Sequence, residues 1–203
     1  TFERLEGRYE CRSIDDAGRT TGLDLESLLY VPLGNNVVIG SHIQRQLEHL
    51  KVLLPPGFLG RRMHDLGCGD GRVTVLLDDI FRPAELRGFD VNSTLVRRAR
   101  RRGVEAEVVD LECDMPRGEL AVLWGVLHHL DDPLHCLLRV RENYDLVCLR
   151  EPLRGRSLAC FELGSPMTLG ELQALVGDSL PGAQVVPSDD HLFVFYAAGY
   201  ESR

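Results

Sequence analysis

No apolar run in this 203-residue chain approaches the roughly 18 residues of a membrane-spanning helix, so no helical span is expected. An excess of positive charge is also missing: 31 acidic residues outweigh 23 basic ones, for a net charge of −8. A nucleic-acid binder usually presents a basic face, and Arg97, Arg98, Arg100, Arg101 and Arg102 are the one candidate cluster. They sit on a predicted helix closed by Gly103, where cations near the C-terminus are favoured by the helix dipole. A solvated face is the simpler reading, and nucleic acid is not an expected partner. None of the six cysteines, at 11, 68, 113, 136, 148 and 160, forms a Cys-x-x-Cys pair, so no zinc site is expected. Cys136 and Cys148 lie in apolar runs and read as buried thiols. The opening Thr1-Phe2-Glu3-Arg4 is polar and lacks the apolar stretch of a secretory signal. With free thiols, that suggests a reducing cytoplasm. There is no internal repeat and no low-complexity tract.

Two phosphate-binding signatures are absent as well. No Gly-Lys-Ser/Thr loop occurs, and the sixth position of a Gly-x-Gly-x-x-Gly pattern counted from Gly67 is Arg72. That last glycine permits close helix–strand packing, so a nicotinamide dinucleotide is not the expected ligand. What is present is Met63-His64-Asp65-Leu66-Gly67-Cys68-Gly69-Asp70-Gly71-Arg72: an apolar-ended segment, three alternating glycines, then a helix-like run. Glycine lets the backbone turn tightly and lets a ligand approach the main chain. The following helix aims its N-terminal amides at the same place.

The run Asp65-Leu66-Gly67-Cys68-Gly69-Asp70-Gly71 resembles motif I of the class I S-adenosylmethionine-dependent methyltransferases. The resemblance implies that Asp65, Gly67, Cys68, Gly69 and Gly71 wrap the methionine half of S-adenosyl-L-methionine. It also implies a ribose-binding acid about 20 residues on, at the end of the second strand. Leu86-Arg87-Gly88-Phe89-Asp90 supplies Asp90, followed by Val91. The alternative for Asp90 is an N-cap of the helix starting near Ser93. Val104 to Asp110 reads as a third strand, and the resemblance assigns Asp110 to the adenine amino group and Leu111 to the ring. The alternative for Asp110 is a solvated loop acid. Leu120 to Gly125 reads as a fourth strand, placing Trp124 and Gly125 where open α/β sheets gather ligands. The following Leu127-His128-His129-Leu130-Asp131-Asp132-Pro133 resembles runs found in small-molecule methyltransferases of this class. The likeness spans roughly residues 58–155.

Residues 63–66, 86–90, 104–109, 120–125 and 145–150 read as strands, alternating with helices near 72–80, 93–102 and 133–142. Thr168 to Val176 carries a capping box and is expected to end at Gly177. Ala183–Val186 and Leu192–Ala197 read as a terminal hairpin. The expected fold is α/β: a Rossmann-like, seven-stranded, mostly parallel sheet with a C-terminal antiparallel hairpin, helices on both faces and an N-terminal helical extension. Residues 1–57 are read as that extension and possible lid, and residues 58–203 as the S-adenosylmethionine-binding methyltransferase domain. Residues 1–40 read as irregular, and Ser41 to Leu54 as an amphipathic helix that either covers the acceptor site or packs on the sheet.

Methyl transfer needs the nucleophile about 3 Å from the methyl carbon, in line, and a base only when the acceptor carries a removable proton. The candidate catalytic residues are His128, His129 and Glu151. Imidazole titrates near neutrality, and His128 falls where the His-Asp-Trp-Ser-Asp segment of plant O-methyltransferases places its histidine, although His129 and Leu130 depart from that pattern. Glu151 either orients the base or binds substrate, or else pairs with Arg150 or Arg154. A metal held by His128, His129, Asp131 and His135 is not expected, because adjacent histidines point apart. The expected function is methyl transfer to a small-molecule acceptor. The alternatives are a methyltransferase acting on protein or RNA, or a non-catalytic cofactor-binding partner protein. No Asn-Pro-Pro-Tyr or Asp-Pro-Pro-Tyr motif follows the fourth strand.

Overall fold

The computed structural model describes residues 2–5, 8–14, 20–24, 37–155 and 164–199. Its centre is a seven-stranded sheet of β4 (Arg62–Leu66), β5 (Glu85–Asp90), β6 (Glu105–Val108), β7 (Gly118–Trp124), β8 (Tyr144–Pro152), β9 (Gln184–Pro187) and β10 (His191–Ala197). The strand order is β6-β5-β4-β7-β8-β10-β9. The first five pair in parallel, and β10 runs antiparallel to both β8 and β9. The terminal hairpin therefore exists, with β10 inserted inside the sheet and β9 at its edge.

Parallel strands need helical crossovers. These are α2 (Arg72–Phe81), α3 (Ser93–Arg101) and α4 (Pro133–Asn143), with α1 (Val37–Leu53) ahead of β4 and α5 (Leu169–Ser179) ahead of β9. Successive strand residues point to opposite faces, and the core divides accordingly. Ala121 and Leu123, Val147 and Leu149, and Leu192 and Val194 pack with Leu137 and Val140 of α4 and Leu172 and Val176 of α5. Leu120 and Val122, Cys148, and Phe193 and Phe195 pack with Leu47 and Leu50 of α1 and Leu77 and Phe81 of α2. Glu151 continues the first face. Arg150 and His191 continue the second.

Three expectations are corrected. The described stretches within residues 1–40 are not irregular: β1 (Phe2–Leu5), β2 (Arg8–Ile14) and β3 (Thr20–Asp24) form a three-stranded antiparallel sheet. Arg8, Glu10 and Arg12 alternate with Tyr9 and Cys11, the period of two that marks a strand even without an apolar face. The first long helix starts at Val37, ahead of the expected Ser41. Gly177 does not end α5. The helix continues to Ser179, whose hydroxyl donates to the Leu175 carbonyl at 2.7 Å, and Leu180 is buried beyond it. Burial of Ser179 and Leu180 outweighs the roughly 1 kcal/mol helix penalty of glycine. The capping box at Thr168 and Glu171 is present as read.

Candidate active site

The glycine loop leaves β4 at the carboxyl edge of the sheet. Gly67 and Gly71 adopt φ of 81° and 80°, a region that costs other residues about 1–2 kcal/mol. Both also lack room. A Cβ on Gly67 would lie 2.5 Å from a Val126 methyl, and one on Gly71 would lie 2.9 Å from the Ala99 backbone of α3. The amides of Gly67 and Cys68 both donate to the Phe89 carbonyl, at 2.7 and 3.0 Å. Cys68 itself is buried beside Gly88, and burial pushes its thiol far up, so it packs rather than reacts.

Asp65 is buried behind this loop. Its Oδ2 accepts the Thr74 hydroxyl at 2.6 Å, and its Oδ1 is a buried oxygen with no hydrogen-bond partner. Burial raises its carboxyl to about 7, against the pull of the Thr74 bond. A buried acceptor short of a donor is costly, and a ligand cation at the loop would satisfy it.

Asp90 ends β5 and closes the loop. Its Oδ2 accepts the Gly69 amide at 2.8 Å and its Oδ1 the Asn92 amide at 2.8 Å. It is not the cap of α3. Asn92 is, accepting from Thr94 and Leu95. Val91 is half-buried next to Asp90. Asp110 stays with its own loop, accepting the Glu112 amide at 2.9 Å and the Cys113 thiol. Leu111 is buried in the core face of α4 and α5. Asp70, which sequence reasoning left without a role, pairs with Arg72 and with Arg102 after α3, tying the loop to that helix. The arginine cluster was its signal.

At the end of β7, Trp124 lies under the Arg150 guanidinium, 5.7 Å from its ring centroid. Gly125 follows with φ of 70°, its absent Cβ 3.3 Å from Arg150 Nη1 and 3.5 Å from His128 Cε1. His128 Nδ1 donates to Glu151 Oε2 at 2.8 Å, and Glu151 Oε1 accepts the amides of Val126 and Leu127 at 2.6 and 2.8 Å. The side chains of His128 and Glu151 are 0% and 1% exposed. Both oxygens of Glu151 are thereby committed to this loop and to the histidine ring. Arg154, one of its considered salt-bridge partners, bonds Glu171 and the Pro166 carbonyl instead. The His129 ring lies on His128 with centroids 4.1 Å apart.

Sequence reasoning missed a second group across the sheet. His191 Nδ1 donates to Asp190 Oδ1 at 2.6 Å, and His42 of α1 reaches Asp190 Oδ2 at 3.1 Å. Gln46 and His49 share that helix face, and the His49 ring meets both His191 and Phe193 edge-on. Only the 42/46/49 helical spacing hinted at it.

A doubly wound sheet with a glycine loop at its carboxyl edge and an acid closing that loop defines a nucleotide-type cofactor fold. The chain belongs to the methyltransferase domain family, whose family model matches residues 39–159. It is 35% identical over 81 residues to a trans-aconitate 2-methyltransferase of Mycolicibacterium gilvum, covering 39% of this chain and 32% of that protein. It is 26% identical over 90 residues to a malonyl-[acyl-carrier protein] O-methyltransferase of Anoxybacillus flavithermus, covering 43% and 33%. The alignments span about a third of the length of each of these relatives. Among solved structures, it resembles magnesium protoporphyrin IX methyltransferase from Synechocystis PCC 6803 with bound SAH, at a TM-score of 0.62 and 14% identity over 84% of this chain and 91% of that one.

Proposed function

We propose that this protein is an S-adenosylmethionine-dependent methyltransferase acting on a small-molecule acceptor. The observation that carries the reading is the glycine loop between Asp65 and Gly71, closed by Asp90 and backed by a buried carboxylate oxygen that lacks a donor. Membership of the methyltransferase family and the acceptors named for the two relatives support it. The cofactor supplies a methyl group already activated by its own positive charge. Asp65 and the loop of Gly67, Cys68, Gly69 and Gly71 line its methionine half, Asp90 with Val91 its ribose, and Asp110 with Leu111 its adenine. Trp124 and Gly125 floor the space beyond. His128 and Glu151 act as positioning residues. Their burial, and the two amides held by Glu151, set the path of the chain after β7. His129 packs against that pair.

Helix α1 is anchored by Leu47 and Leu50 in the core. Of the segment 1–57, only the stretch before Val37 is left for a covering role. The basic cluster is partly committed: Arg100 donates to the Ala106 carbonyl and Arg102 to Asp70. That argues against a nucleic-acid acceptor. No helix among the described residues is long and apolar enough to cross a membrane.

The test is calorimetry with S-adenosylhomocysteine and NAD on the wild type and Asp90→Ala. S-adenosylhomocysteine is expected to bind, and Asp90→Ala to weaken it by about 1–3 kcal/mol through lost charge-assisted bonds. Tight NAD binding without a response to S-adenosylhomocysteine would sink the reading.

A further inference from the structure

We propose that His191, Asp190, Gln46 and Arg150 form an anion-binding subsite beneath α1 that takes a carboxylate of the methyl acceptor. This rests on the methyltransferase reading above and adds the chemical class of the acceptor and the residues that recognise it.

Three observations converge. First, His191 is 3% exposed, and its Nε2 is buried with no hydrogen-bond partner. Its Nδ1 is committed to Asp190. The ring is thus oriented by a carboxylate on one side and presents an unused nitrogen on the other, under α1.

Second, Gln46 is also 3% exposed, with a buried amide atom that has no partner. Its amide nitrogen is placed 2.8 Å from His42 Nε2. That ring nitrogen also lies 3.1 Å from Asp190 Oδ2, and to bond a carboxylate it must carry the proton. It then cannot accept an amide N–H. The two amide orientations have the same shape, and only the one with Oε1 toward His42 fits. That orientation turns the Gln46 N–H pair into the buried, unpartnered spot.

Third, a permanent positive charge stands beside these two side chains. The Arg150 guanidinium of β8 is close enough to act on both His191 and Asp190, beside the His42 and His49 rings of α1. Burial and the Arg150 charge hold His191 below its usual range, so it is neutral before a ligand arrives. Burial pushes Asp190 up, but the His191 hydrogen bond and the charged groups nearby, Arg150 among them, outweigh this and leave it lowered.

An arriving carboxylate meets the Arg150 guanidinium, the Gln46 amide and, once His191 takes up a proton, a charged Nε2–H. All are donors to the same class of oxygen. Arg150 is next to Gly125, which follows the last residue of β7. The subsite therefore adjoins the expected transfer site rather than lying apart from it. A carboxylate nucleophile needs no base, in keeping with a His128 that is enclosed.

The proton uptake gives the test. Protein loaded with S-adenosylhomocysteine is titrated with malonate, and separately with neutral malonamide, while the His191 ring nitrogens are followed by NMR from pH 5 to 8. Malonate should raise the His191 midpoint by about one unit or more, as an opposite charge within a few ångströms does, and malonamide should not. His191→Gln should weaken malonate binding about tenfold or more and change S-adenosylhomocysteine affinity by less than about twofold. An unmoved His191 midpoint with malonate overturns the proposal, and the wild-type titration needs no variant to fold. A parallel loss of S-adenosylhomocysteine affinity in His191→Gln would also overturn it, assigning the subsite to the cofactor's own carboxylate. Failure of S-adenosylhomocysteine to bind wild type sinks the methyltransferase reading instead, and the malonate titration without it still reports on this subsite.

Discussion

Two histidine–carboxylate pairs stand at the same edge of the sheet, one on each face, and they are not equivalent. Glu151 spends both oxygens locally, on two backbone amides and on His128, and the pair is sealed at 0% and 1% exposure. Asp190 is shared between His42 and His191, lies 23% exposed, and leaves His191 with an unpartnered nitrogen. The two distances are close, 2.8 and 2.6 Å. What separates the pairs is how each carboxylate is spent and how far it is sealed from solvent. A carboxylate that has absorbed every nearby donor is a fastening.

The largest effect expected from breaking this contrast is at Glu151. Glu151→Ala strands two buried amides and the His128 N–H, and should lower stability by about 3–5 kcal/mol in urea unfolding. A loss below about 1 kcal/mol would mean that the pair is not a fastening at all. Gly125 comes next, because it sits between the two groups. Gly125→Ala forces a left-handed backbone conformation and brings a methyl to 3.3 Å from Arg150 Nη1. The expected cost is about 1–2 kcal/mol of stability. An unchanged melting temperature would refute the local geometry. The smallest effect separates the second pair by pH. His191 has a lowered pKa in the fold, so its contribution is present above the ordinary histidine range and is lost as pH falls through the folded value. The stability difference between wild type and His191→Gln should therefore shrink as pH drops below about 6.5, by less than about 1 kcal/mol. Taking the difference cancels Asp65, whose raised carboxyl acts oppositely: its contribution is present at low pH and lost as pH rises toward 7. A difference that stays flat from pH 5 to 8 would place His191 outside any buried pair.

Much of the first pair was legible along the chain, and little of the second. His128 follows a strand that its apolar run announces, and Glu151 ends the next strand, so consecutive parallel strands bring them together. His191 and Asp190 looked like hairpin residues. Their partners, His42 and Gln46, lie on a helix about 150 residues earlier whose contact with β10 no local period reveals. The N-terminal strands were missed for another reason: charges at alternate positions carry the strand period without an apolar face, and apolar periodicity is the stronger signal.

The glycine loop, the alternation of strands and helices, the acid after β5 and the capping box of α5 were determined by the sequence itself. Each depends on residues within one turn or one strand of each other, where φ requirements, side-chain periodicity and capping chemistry act locally. The order of the strands, the insertion of β10 between β8 and β9, and the seating of α1 against His191 and Phe193 were decided only by the tertiary structure. Those choices follow from burying apolar faces contributed by distant segments, and alternation along each strand then sent Glu151 to one face and Arg150 to the other.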